Sequence, residues 1–222
     1  MTDLNYQAHT TAVIDEGAVI GEGTCIWHFC HVCAGAEIGR KCSLGQNVMV
    51  AGDATIGNNV KIQNNVAVYS GVTVEDDVFL GPSCVLTNVS NPRSQVSRKS
   101  LYEKTLIRRG TTVGANATIV CGITLGRYAF VAAGAVVTKN VPDYGFVLGT
   151  PARLNGHMSR HGHKLSFDDA NQTVCPESGL RYERTEQLVR CLDLDEEEPL
   201  PDNLAVGNRD YRAFEKNLLV DE

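Results

Sequence analysis

The chain has 222 residues, of which 43% are hydrophobic, 21% charged and 6% aromatic, with a formal net charge of −6. That balance supports one sizeable core with a small appendage and argues against disorder. It gives no reason to expect a nucleic acid or an anionic membrane as partner. The polar start MTDLNYQAHTTAVIDEG is unlike a signal peptide and no apolar run is long enough to span a bilayer, so a cytoplasmic location and no membrane insertion are expected.

Taken from the N-terminus, the first feature is a ladder of aliphatic residues at every sixth position. It runs Ile14, Ile20, Ile26, Val32, Ile38, Leu44, Val50, Ile56, Ile62, Val68, Val74, Leu80 and Leu86 without a miss. It resumes as Ile107, Val113, Ile119, Leu125, Val131 and Val137. A period of six does not fit an amphipathic helix, whose apolar stripe recurs at about 3.6 residues. It does fit short strands, because a multiple of two keeps every marked side chain on one face. Three positions after the aliphatic comes a Gly, Asn or Asp in most units, such as Gly17, Gly35, Asn47, Asp53, Asn59, Gly134 and Asn140. Such residues tolerate positive φ at a sharp corner. The next position is small or β-branched, as in Thr24, Cys30, Ala36 and Cys42, and fills the corner from inside. Each hexad is therefore a strand and a turn, three hexads a triangular coil, and nineteen ladder positions about six coils and roughly 30 Å of stacked parallel sheet.

Within the second coil lies IWHFCHVC, where Cys30 and Cys33 make the only CxxC spacing and His28 and His31 stand beside it. Zinc or redox chemistry is conceivable there, but most of the eight cysteines fall on repeat positions that want a small apolar side chain. No metal is expected. His31 precedes the inward Val32, so alternation points it outward, where it could act as general base near neutral pH. The alternative is that no residue acts as a strong base. The ladder breaks at residues 87–106, a polar insertion with Arg93, Arg98, Lys99 and Lys104. A loop of that length within a solenoid reads as functional, and its cations suit anionic groups on a ligand.

The units IGEGTC, IGRKCS, IGNNVK, VGANAT and LGRYAF resemble those of hexapeptide-repeat acyltransferases, and the resemblance covers roughly residues 12–156. It implies an all-β solenoid, a left-handed parallel β-helix over residues 1–157 with the inserted loop, followed by a C-terminal extension over 158–222. The closing run AAGAVVTKNVPDYGFVLGTPARLNG resembles the acetyl-CoA end of that family. It implies acetyl-CoA as co-substrate, held by Ala115, Ala133, Gly134, Lys139, Pro151 and Arg153. Residues 26–39 and 86–126 are similar to N-acetyltransferases of nucleotide-linked 3-amino sugars. They are most similar to those acting on a UDP-linked 2-acetamido-3-amino glucuronate for bacterial surface polysaccharide. Asn88 and Arg98 then bind the substrate, with His28, Asn64 and Tyr69 facing it, and a homotrimer with sites between subunits is expected. Rival readings are an acetyltransferase for another nucleotide-linked amino sugar, a zinc-dependent hydratase, which would want three converging histidines, and a non-catalytic solenoid. In the extension, DLDEEEPLPD reads as a solvated linker. Residues 210–219 read as a helix, and Cys175, Pro176 and Gly179 as half of a zinc knuckle without its other half.

Overall fold

The structure, a computed structural model, describes residues 5–186, 188–207 and 209–215. The chain winds into a three-faced parallel β-helix. The first face stacks Gln7–Ala8, Cys25–Ile26, Ser43–Leu44, Lys61–Ile62, Phe79–Leu80, Thr112–Val113, Phe130–Val131 and Gly145–Gly149 in parallel. The second face runs from Val13–Ile14 to Val136–Val137 and the third from Val19–Ile20 to Thr124–Leu125. Eight parallel strands on one face exceed the coil count expected from the aliphatic ladder and make a prism about 34 Å tall. Two rungs escaped the count. One is Gln7–Ala8, with Ala at the ladder position. The other follows the shortened corner 138–140, which brings Val141 beside Leu125 and Val147 beside Val131.

The ladder residues from Ile26 to Val137 are all buried, whereas Ile14 and Ile20, in the end coil, are half-buried. Corner chemistry follows the sequence. The third position after the aliphatic takes positive φ at Gly17, Gly35, Asn47, Asn59, Asn65, Asp77, Asn116 and Gly134. It also does so at Phe29, Lys41, Ser83 and Tyr128, which have no residue-type preference for it. Asp53 and Asn140 occupy that position without positive φ. Inside the corners, Thr24 and Thr111 donate to the carbonyls of Gly39 and Gly126, both at 2.8 Å. Cys30 and Cys42 donate in the same way to Gly45 at 2.9 Å and Gly57 at 3.1 Å. The CxxC pair is thus divided: Cys30 is a buried corner filler and Cys33 lies on the outside.

Strand partners stand eighteen residues apart below the insertion, as Lys61 with Phe79, and thirty-three apart across it, as Phe79 with Thr112. The insertion leaves Leu86 at the second–third edge and re-enters at strand Thr105–Ile107. Thr105 and Leu106, expected in the loop, belong to that strand.

The acid–proline run 193–202 is not a solvated linker but packs on the coils, and the extension around it is folded. Ala152–Met158 turns back antiparallel on Gly145–Gly149, followed by Lys164–Leu165 and a sheet of Gln172–Val174, Arg181–Arg184 and Val189–Cys191. Tyr128, Tyr144, Leu165, Cys175, Leu180, Tyr182, Val189 and Cys191 form a second core. Cys175 is buried and donates to Ser159 Oγ at 3.3 Å. The helix spans Tyr211–Glu215, and the rest of the helix expected to 219 lies outside the described residues. Among the described residues no helix is long and apolar enough to cross a membrane.

Candidate functional site

Alternation along the second face sends Val13, His31, Met49, Ala67, Val85, Thr118 and Val136 outward in one row. That row holds no Asp, Glu, Lys or Arg, whereas the outward rows of the first and third faces include Lys61 and Glu37. The expected site residues sit on this face, on its two edges and at its upper end.

The first–second edge is a column of corners through His28, Gln46, Asn64, Pro82, Ala115 and Ala133. The carbonyls of His28, Gln46, Asn64, Pro82 and Ala115 accept the N–H of Asn47, Asn65, Ser83, Asn116 and Gly134 at 2.8–3.0 Å. Asn64 has a structural duty as well, since its Oδ1 accepts the Gln46 N–H at 2.9 Å. Higher up, Ala133 and Gly134 are exposed, and a Cβ on Gly134 would meet nothing within 4 Å. Glycine there serves its φ of 70° and leaves the backbone open to a ligand. Lower down, His28 stacks on His9 with centroids 3.5 Å apart, and its Nδ1 is buried without a hydrogen-bond partner.

The second–third edge carries Tyr69, the insertion and Lys139. The insertion is closed at its neck by Glu103, whose carboxylate accepts from Ser90 Oγ, from the Ser90 N–H at 3.2 Å and from Cys121 Sγ at 3.6 Å. The Glu103 N–H donates to Asn88 O at 3.0 Å. These bonds, the Ser90 hydroxyl first, hold the Glu103 carboxyl below the usual carboxylate range. Inside the loop Arg98 donates to Asn91 O at 3.0 Å. Tyr69 is exposed one coil below the loop root. Above the loop, Lys139 and Arg153 line one cleft of about 230 Å³ with Val137, Val141, Pro142, Val147 and Leu154. Pro151 occupies the exposed turn just before Arg153.

Within one chain these groups are not all brought together. The two edges are roughly 15 Å apart across the face. Lys139 follows the strand two coils above the loop root, about 10 Å along the axis, whereas His31 lies three coils below that root, about 14 Å. His31 Nε2 instead meets Asp15 Oδ2 at 3.1 Å, with Cys33 Sγ at 3.9 Å.

The upper part of the third–first edge carries the extension. Arg109 pairs with Asp77 at 2.7 Å and also donates to the carbonyl of Glu197. Arg127 reaches Asp143 at 3.4 Å and the Glu197 carboxylate. Arg160, its side chain wholly buried, pairs with Glu196 at 3.0 Å and donates to the carbonyls of Asp195 and Glu198 at 2.6 and 3.0 Å. His161 and His163 are used in packing, His161 on Leu204 O and His163 on Glu177, both at 2.7 Å. Neither Glu103 nor this arginine column was found by sequence reasoning. The opposed runs Arg108–Arg109 and Asp195–Glu198 were the available signal for the second.

Comparison with known proteins agrees with the repeat. Residues 17–52 and 53–88 match "Bacterial transferase hexapeptide (six repeats)". Residues 35–70 and 107–139 match "Hexapeptide repeat of succinyl-transferase". The chain is 42% identical over 88 residues to a dTDP-3-amino-3,6-dideoxy-alpha-D-galactopyranose 3-N-acetyltransferase of Aneurinibacillus thermoaerophilus, covering 40% of this chain and 45% of that one. It is 38% identical over 78 residues to a 2,3,4,5-tetrahydropyridine-2,6-dicarboxylate N-acetyltransferase of Staphylococcus aureus, covering 35% and 30%. In both cases the match spans less than half the length of the curated relative. The fold overlays on a maltose O-acetyltransferase from Clostridium difficile 630 with a TM-score of 0.50 and 23% identity, over 55% of this chain and 70% of that one. The matched coils of this chain are thus similar to the hexapeptide repeats of bacterial transferases.

Proposed function

We propose that this chain is a hexapeptide-repeat acetyltransferase that moves acetyl from acetyl-CoA to an amino group of a nucleotide-linked sugar. The observation that carries this is the placement of the Asn88–Arg98 insertion on the same edge as Lys139, two coils below the Lys139–Arg153 cleft. Lys139 and Arg153 receive the phosphates of the donor, and its pantetheine arm runs along the open corner at Ala115, Ala133 and Gly134 of a neighbouring copy. Asn88 and Arg98, with Tyr69, His28 and Asn64, face the acceptor. The two relatives named as N-acetyltransferases share the transferred group and differ in acceptor.

In the reaction the neutral amine attacks the thioester carbonyl, a C–N bond forms, the C–S bond breaks, and backbone N–H groups stabilise the oxyanion. The thiolate leaves with the proton the nitrogen gives up. The axial separation of His31 from the loop root favours this route over His31 as base.

For the acceptor we propose the 3-amino group of a UDP-linked 2-acetamido-3-amino uronic acid used in bacterial surface polysaccharide. Arg93, Arg98, Lys99 and Lys104 offer more positive charge than a diphosphate alone needs, and a uronate carboxylate accounts for the surplus. Thiol release from acetyl-CoA is to be measured with a panel of UDP-, dTDP- and GDP-linked amino sugars, with and without the carboxylate. The uronate is expected to give the highest kcat/KM. Asn88→Ala and Arg98→Ala should each lower it at least about tenfold, roughly 1.4 kcal/mol of transition-state binding, with unchanged melting. Lys139→Ala should raise the KM for acetyl-CoA and leave that for the sugar. No thiol release with any member of the panel would defeat the reading, and a neutral sugar preferred over the uronate would defeat its narrower form.

A further inference from the structure

At the lower end of the second face, Asp15, His31 and Cys33 bring a carboxylate oxygen, an imidazole nitrogen and a thiol sulfur within 4.8 Å of one another. The closest separations are 3.1 Å between Asp15 Oδ2 and His31 Nε2 and 3.9 Å between His31 Nε2 and Cys33 Sγ. Metal–ligand lengths of about 2.0–2.3 Å in a tetrahedron place ligand atoms about 3.4–3.6 Å apart. The Asp15–His31 and His31–Cys33 separations are within a few tenths of an ångström of those spacings, and the Asp15 oxygen and Cys33 sulfur lie within 4.8 Å of each other. We propose that Asp15, His31 and Cys33 form a binding site for one zinc-like divalent cation that clamps the first coil to the second.

The donor set selects the ion. A thiolate, an imidazole and one carboxylate suit zinc, whereas calcium and magnesium want oxygen throughout. Half of each of the His31 and Asp15 side chains is buried or nearly so, at 47% and 39% exposure, which leaves a fourth position open to water. On binding, Cys33 gives up its thiol proton and the His31–Asp15 hydrogen bond is replaced by two bonds to the metal.

The site also lies where the solenoid is weakest. Asp15 belongs to the first coil, and His31 and Cys33 to the second. Among the described residues no coil lies below the first, and its Ile14 and Ile20 are only half-buried. Besides the His31 contact, what joins Asp15 to the next coil is the backbone bond from its N–H to Val32 O at 2.9 Å and the Ala34 N–H on Asp15 Oδ2 at 3.3 Å. A metal held across that step adds bonds that the unfolded chain does not make. Zinc here acts on the end coil, four coils below the loop root, so the proposal stands or falls apart from the transferase reading.

The test is zinc uptake by the full chain under reducing, chelator-free conditions, by equilibrium dialysis, beside Cys33→Ser and His31→Gln. Loss of an outer contact to a metal ligand already weakens binding 10–100-fold. Removal of a ligand should therefore weaken it at least about tenfold in each variant. The cobalt-substituted protein should show a thiolate-to-metal charge-transfer band that Cys33→Ser abolishes. Zinc should slow amide exchange in residues 13–20 of the wild type and leave it unchanged in the variants. The other histidines and cysteines remain in every variant, so they cannot produce the difference. Equal uptake by wild type and both variants, or no uptake by the wild type, overturns the proposal.

Discussion

Arg160 places a full positive charge out of solvent, and the residues around it are chosen accordingly. Its guanidinium lies 4.4 Å from the Tyr128 ring centre, donates to Tyr144 Oη at 3.3 Å and pairs with Glu196. Burial, and then the Glu196 carboxylate, push the Tyr144 phenol far above its ordinary range, so it stays a neutral donor to Glu196. Glu196→Ala removes the counter-charge and leaves the arginine with carbonyl acceptors and the Tyr144 hydroxyl only. It should cost about 2–3 kcal/mol, a fall in Tm of roughly 5–10 °C by calorimetry. Glu196→Gln keeps an acceptor and should cost less. A Glu196→Ala protein that melts with the wild type would mean that the charge is solvated in solution. The corner cysteines obey the same physics: Cys84 is buried in a corner, and burial pushes its thiol up to about 12.

Among the elements, the hexad was legible because its causes are local. A strand of two residues, a positive-φ corner and a small inward filler recur in register, so the sequence repeats them. The extra rungs were hidden because Ala8 is not a large aliphatic and because the corner before Val141 is short. The insertion was legible as a break in period, but not its closure, since Ser90, Glu103 and Cys121 meet only after the loop is folded. That closure depends on pH. The folded Glu103 carboxyl titrates below the unfolded one. Its anchoring is therefore complete above the ordinary carboxylate pKa and is lost as pH falls through the depressed value. Glu103→Gln should reproduce the acid behaviour at neutral pH: faster amide exchange in residues 88–103, a raised KM for the acceptor and little change in KM for acetyl-CoA. Unchanged exchange and KM would show that the neck does not position the loop.

For the whole molecule, the sequence revealed the prism and missed what covers it. The acidic run 193–198 looked solvated because its partners, Arg109, Arg127 and Arg160, stand dozens of residues away with no period to announce them. With the extension on the third–first edge, the uncharged second face and its two edges remain for a second copy, and the expected donor and acceptor residues are each divided between those two edges. Association through this face into a trimer should give three times the 24.0 kDa chain mass by analytical ultracentrifugation. Ala67→Glu or Val85→Glu should dissociate it and abolish turnover while the circular dichroism is kept. A fully active monomer would rule the arrangement out.

The eighteen-residue spacing of stacked strands also governs which changes of length the protein tolerates. One hexad added between Leu86 and Val137 would leave every local contact satisfiable, yet rotate all that follows by a third of a turn. The Lys139–Arg153 cleft would then lie over a different edge from the Asn88–Arg98 loop. Two hexads would carry it to the remaining edge. Only a whole coil restores the azimuth, and it does so at the expense of about 4.8 Å between cleft and loop. Drift in length among such chains is therefore quantised: insertions of a single hexad are silent for folding and fatal for alignment, and viable lengths differ by eighteen or by loops that leave the winding untouched.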